Sequence, residues 1–228
     1  MARRRPPDQL DRLLDAAETV FLAQGLAKAQ MADIAREAGV AAGTLYHYFD
    51  SKDALFGWVL TRAAGDPPPF PTELPLVAPA GVVERRLVQL ADLRGLPLLA
   101  AAASAARAPD GPVAAELLAL LEEFYDEVVT TARMVTLIEH AVDSQPEIAE
   151  AWIRCLVGLL GLWERYLTRR VDQGLLRALP DATVAASFVI ETCTYFGRTR
   201  ARDPWTTGSD PLRIRTTTLD MLQHALTA

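Results

Sequence analysis

A glycine set between two short apolar helical patterns constrains this chain more than any other feature of its sequence. Met31, Ile34, Ala35 and Ala38 recur at i, i+3, i+4 and i+7, the spacing of a short helix with one buried face. Gly39 ends it. Glycine adopts the left-handed backbone that lets a chain leave one helix and enter another at a steep angle, with Val40 as an apolar plug at the corner. The following pattern, from about Ala42 to Phe49, buries Leu45 and Phe49 one turn apart. It leaves Thr44, Tyr46, His47 and Tyr48 at or near the opposite side. The stretch therefore predicts a helix-turn-helix whose outer face carries hydroxyls, an imidazole and flat rings but little acidity. Such a face suits a phosphate backbone and the base edges of a major groove. Lys52 opens the next helix, where its ammonium is expected to reach a flanking phosphate while Asp50 or Ser51 caps the helix.

Charge first argues the other way, because the chain carries a net charge of -6. Up to Arg62, however, Arg3, Arg4, Arg5, Arg12, Lys28, Arg36, Lys52 and Arg62 balance Asp8, Asp11, Asp15, Glu18, Asp33, Glu37, Asp50 and Asp53, so the acidity lies beyond the motif. The local field governs binding, and Arg3 to Arg5 read as a basic arm beside the reading helix. The chain has 228 residues, half of them apolar, and shows no signal-peptide pattern and no charge-free run of membrane-spanning length, which makes a cytoplasmic location the expectation. Cys155 and Cys193 fall in apolar helical patterns, as buried free thiols rather than a disulfide. His47, His140 and His224 are scattered, and neither a metal-ligand spacing nor a phosphate-cradling glycine loop occurs. The reading is of a non-enzyme with no catalytic residues, metal or cofactor.

Taken in order, the pattern predicts an all-α chain. Leu10, Leu13, Leu14, Ala17 and Phe21 share one helix face that stops near Gly25 and roofs the motif, and a connecting helix follows from Lys52 to about Ala64. Residues 1–64 form the expected DNA-binding domain. The proline-rich run 65–81 reads as an extended crossing, and 82–228 as a larger helical domain. In that domain helices are expected over Val83 to Gly95, Pro97 to Arg107, about Leu117 to Gln145, Pro146 to Gly174, about Asp181 to Arg200 and about Asp210 to Leu226.

The run GVAAGTLYHYFDSKDAL resembles the DNA-binding segment of the tetracycline-repressor (TetR) family of bacterial transcription regulators. Gly39, Gly43, Thr44, Leu45, Tyr46, Tyr48, Phe49, Lys52 and Leu55 stand in family positions. Gln30 departs from the Ser or Thr usual there, although it can still touch phosphate, and Ala41 and Ala42 can offer a base only a methyl contact. The expected DNA-contacting set is Gln30, Ala42, Gly43, Thr44, Tyr46, His47, Tyr48 and Lys52. The resemblance implies a regulator, in the simplest case a repressor, that binds a palindromic double-stranded operator as a homodimer and leaves it when a small, largely apolar effector enters the second domain. It also implies that the last two long helices pair between subunits, which nominates Phe188, Val189, Thr192, Phe196, Leu219, Leu222 and Leu226 for the interface. By residue type and helical position, an effector cavity would draw on Phe124, Tyr125, Met134, Trp152, Cys155, Trp163, Tyr166 and Tyr195, with Arg133, His140 and Glu191 orienting the ligand. Two other classes fit the helical pattern, a protein-interaction adaptor docking through the Tyr-His-Tyr face and an enzyme with its site in the C-terminal cavity.

Overall fold

The computed structural model describes residues 7–65, 74–78, 88, 95–200 and 210–227. The Arg3 to Arg5 arm, most of the proline-rich run and the helix expected from Val83 onward lie outside them. The regular elements described are all helical: α1 (Pro7–Lys28), α2 (Met31–Glu37), α3 (Ala42–Tyr48), α4 (Lys52–Ala63), α5 (Pro97–Ser104), α6 (Val113–Val142), α7 (Pro146–Asp172), α8 (Ala182–Thr194) and α9 (Pro211–Leu226). α8 continues as one wider, π-type turn over Tyr195–Thr199. The all-α expectation holds, and the order of helices follows the sequence pattern.

The helix ends are set by local chemistry. Gly39, at φ 68°, leaves α2 in the left-handed conformation. Its N–H donates to Arg36 O at 3.1 Å and that of Val40 to Ala35 O at 2.9 Å, the paired bonds that close a helix on a glycine. A Cβ added at Gly39 would meet nothing within 4 Å, so the backbone conformation and not space requires glycine there. Ser51 caps α4 by accepting from Ala54 N, Asp181 caps α8, and Asp210 caps α9. α5 begins at Pro97 and has no cap of its own; Glu123 of α6 supplies one, accepting from Leu98 N at 2.8 Å and Leu99 N at 2.9 Å.

Packing divides the chain differently from its order. One unit comprises residues up to Val88 together with Arg133–Trp152; the other comprises Gln89–Ala132 and Ile153–Ala228. The last third of α6 and the first turns of α7 thus belong with the helix-turn-helix. At about 1.5 Å per residue the 30-residue α6 runs on the order of 45 Å, longer than one small core can occupy. In this first unit, the head, α1 buries Leu10, Leu13, Leu14, Ala17 and Phe21 against α2 and α4, and Phe21 meets Phe56 edge to face at 5.3 Å. Within the run expected to be an extended crossing, the described residues 74–78 lie on the head. Leu76 exchanges backbone bonds with Tyr48 and Asp50, and Trp58 Nε1 donates to Val77 O.

The second unit packs α5, the first part of α6, most of α7, and α8 and α9 around Phe124, Trp163, Tyr166, Val189, Cys193, Leu219 and Leu222. Arg170, only 1% exposed, is held there by both oxygens of Glu116 at 2.8 Å, by Arg107 O and by Gln173 Oε1, and it stacks on Tyr166. Tyr166 donates to the same carboxylate.

Candidate nucleic-acid interface

The outer face of α3 is built by elimination. Leu45, Tyr48 and Phe49 turn inward at i, i+3 and i+4, so Ala42, Gly43, Tyr46 and His47 form the outward stripe, with Thr44 half-buried at its edge. Tyr46 is 56% exposed. A Cβ added at Gly43 would meet nothing within 4 Å, so α3 presents bare backbone to solvent beside the Tyr46 ring. Gln30, at the N-terminus of α2, is also exposed and makes no side-chain cap, which leaves its amide facing outward. This surface offers a phenol, an imidazole, a hydroxyl and an amide around a flat apolar centre, a set able to bond phosphate oxygens and base edges.

Two residues expected on this surface serve the interior. Tyr48 is 2% exposed, and its hydroxyl donates to Gln9 Oε1 of α1 at 3.2 Å. The reason is geometric: three residues beyond Leu45 lies on the buried side of a helix. Lys52 donates from Nζ to Leu26 O at 2.8 Å and to Ala29 O at 3.1 Å, satisfying carbonyls where α1 gives way to α2. The ammonium expected to clamp phosphate thus fixes a corner of the head. Arg12 points Nη2 at Ala38 O beside the glycine turn, and Arg62 bonds Asp15, Glu18 and Asp11 O. Among the described residues of the head, Arg12, Lys52 and Arg62 are thus engaged within it.

The groups nominated for an effector cavity divide between the units. Phe124, Trp163 and Tyr166 come together in the second, with ring centroids 5.9 and 6.1 Å apart, and Trp163 Nε1 is buried with no hydrogen-bond partner. Tyr125, buried close by, donates to Phe196 O. Burial raises the Tyr166 hydroxyl, and pushes the thiols of Cys155 and Cys193 up to about 11 and about 12, unreactive values that argue against redox sensing. Arg133, Met134, His140 and Trp152 fall in the head unit. Arg133 is exposed and paired with Glu18, His140 is exposed with Nδ1 against Phe21 O, and Glu191 is exposed on α8, so none of the three orients a ligand inside the aromatic core. Tyr195 is likewise largely on the surface.

The nominated dimer residues need a parallel correction. Val189, Leu219, Leu222 and Leu226 are buried in the second unit's own core, because α9 lays its leucine stripe against that core. Phe188, in contrast, is 60% exposed, while Thr192 and Phe196 are half-buried.

Helix, left-handed glycine, helix, and an outward polar-aromatic stripe define a helix-turn-helix DNA-binding domain. Residues 13–58 match the family model of the bacterial regulatory proteins of the tetR family, so this segment is similar to the DNA-binding domain of that family. Over 55 residues it is 46% identical to an uncharacterised helix-turn-helix transcriptional regulator of Mycobacterium tuberculosis, the match covering 24% of this chain and 27% of that one. Over 48 residues it is 46% identical to the transcriptional repressor KstR2 of Rhodococcus jostii, covering 21% and 24%. The chain thus matches about a quarter of the length of these curated relatives. The solved structure of the ketosteroid transcriptional regulator KstR2 of Mycobacterium tuberculosis aligns over all of both chains with a TM-score of 0.58 at 17% identity, a likeness of fold. Among the described residues no helix is long and apolar enough to cross a membrane.

Proposed function

We propose that this chain is a transcription regulator, in the simplest case a repressor, that binds a two-fold operator in double-stranded DNA as a homodimer and is released by a small, largely apolar effector. The observation that carries the reading is the outward stripe of α3, Ala42, Gly43, Tyr46 and His47, set on a glycine corner that fixes its angle. Tyr46 and Gln30 take phosphate, and His47 with Thr44 takes base edges.

The second copy is assigned to α7 and α8. Ile153, Leu156 and Val157 on α7 and Val184 and Phe188 on α8 are large apolar side chains left exposed, and Thr183 Oγ1 donates to Glu164 Oε1 to tie the two helices side by side. Exposed apolar residues clustered on two adjoining helices favour burial against a like surface. The effector belongs in the aromatic core of the second unit, where the unpartnered Trp163 indole N–H offers a donor to a ligand oxygen.

Selection from random duplex DNA with the full chain tests the reading. It is expected to recover a palindromic site whose affinity falls at least tenfold in Tyr46→Ala/His47→Ala. Recovery of no sequence, or undiminished specific binding by that variant, overturns it.

A further inference from the structure

Glu18 on α1 is 4% exposed, yet it accepts from Arg133 Nε at 2.6 Å and Nη2 at 2.5 Å, and from Arg62 Nη2 of α4 at 3.1 Å. The two bonds from one guanidinium form a fork, which fixes the direction of approach as well as the distance. Arg62 has other partners, Asp15 and Asp11 O, whereas the bonds from Arg133 reach Glu18 from α6. Arg133 is also where α6 passes out of the second unit's packing and into that of the head.

Resting on the operator-binding reading above, we propose that Arg133 is a positioning residue for DNA recognition, which sets the attitude of α3 by gripping α1 through Glu18. α1 is continuous from Glu18 back to Gln9, about 13 Å along the axis, and Gln9 accepts the buried Tyr48 hydroxyl of α3. On the way Arg12 points at the carbonyl of Ala38 in the glycine turn. The grip at the middle of α1 and the contact to the reading helix near its start therefore share one rigid stretch of helix.

The test uses the full-length dimer and an operator duplex recovered by selection with the unmodified chain. Binding is measured over a range of salt concentrations, together with the thermal midpoint, for Arg133→Lys, Arg133→Met, Glu18→Gln and Glu18→Leu/Arg133→Met. Positioning predicts at least tenfold weaker operator binding per folded molecule in Arg133→Met and Glu18→Gln, a smaller loss in Arg133→Lys, and a slope of log affinity on log salt equal to that of the unmodified chain. The double variant removes both charges together, so it regains most of the thermal midpoint while its affinity stays low. Affinity that returns with the midpoint makes the pair structural only and overturns the inference. A slope reduced by about 0.9 makes Arg133 a phosphate contact and overturns it equally. Should the unmodified chain select no duplex at all, the operator reading fails first and takes this inference with it.

Discussion

Lys52 in the head and Arg170 in the second unit are both cations held by the chain itself, but the two units use them differently. Lys52 remains partly exposed and bonds two backbone carbonyls at the corner between α1 and α2. Arg170 is sealed among α6, α7 and the end of α5, where Glu116 neutralises it and two further oxygens complete its bonds. In the head, charged side chains stitch the corners between helices around the apolar core. The second unit has long helices and a large aromatic core, into which one saturated ion pair is folded. Charge in the head serves geometry; charge in the second unit is a packing component.

The contrast breaks most visibly at Arg170. Arg170→Met leaves the half-buried Glu116 without its guanidinium and the oxygens of Arg107 and Gln173 without their donor, and is expected to cost about 3 kcal/mol in urea unfolding. A loss below 1 kcal/mol would mean that water already reaches the pair. Lys52→Met should cost about 1.5–3 kcal/mol, the worth of charged-donor bonds to carbonyls, while leaving the salt dependence of operator binding unchanged. A slope lowered by about 0.9 would restore the phosphate role and erase the contrast.

Two tyrosines sharpen it further. Tyr48→Phe removes the bond to Gln9 and should cost about 1 kcal/mol of stability while preserving the operator preference. Tyr46→Ala should change stability by no more than about 0.5 kcal/mol and yet weaken operator binding. The smallest effect is expected in the second unit at Glu127, whose carboxyl is raised above the usual glutamate range by burial and then by the charge of Glu123. A raised carboxyl favours folding while it is protonated, and that contribution is lost as pH rises through the folded value. Glu127→Gln should therefore be slightly more stable than the unmodified chain at pH 7, with the advantage fading below about pH 4. Denaturation at the two pH values measures it.

The burial of Tyr48 is legible in the sequence, since its place three residues after Leu45 puts it on the buried face of α3. Lys52 was not legible, because nothing in a linear pattern brings the carbonyls of Leu26 and Ala29 to its ammonium. Arg133 and His140 share a helix with Phe124 and Tyr125, which by residue type and helical position suggests a common site, yet the two pairs pack in different units. That helix is long enough to serve two cores, and only packing tells where one ends and the other begins. The leucines of α9 raised the same difficulty, since an apolar stripe looks alike whether it faces its own subunit or another.

By itself the amino-acid order determined the described helices, the caps at Ser51, Asp181 and Asp210, the glycine corner after α2 and the outward placement of Tyr46 and His47, because these depend on dihedral preference and on a period of 3.6 residues. Tertiary structure alone decided which cations and which apolar stripes stay exposed, and that Glu18 and Arg133 meet. Those outcomes depend on where distant helix ends come to lie, and short-range propensity carries no record of it.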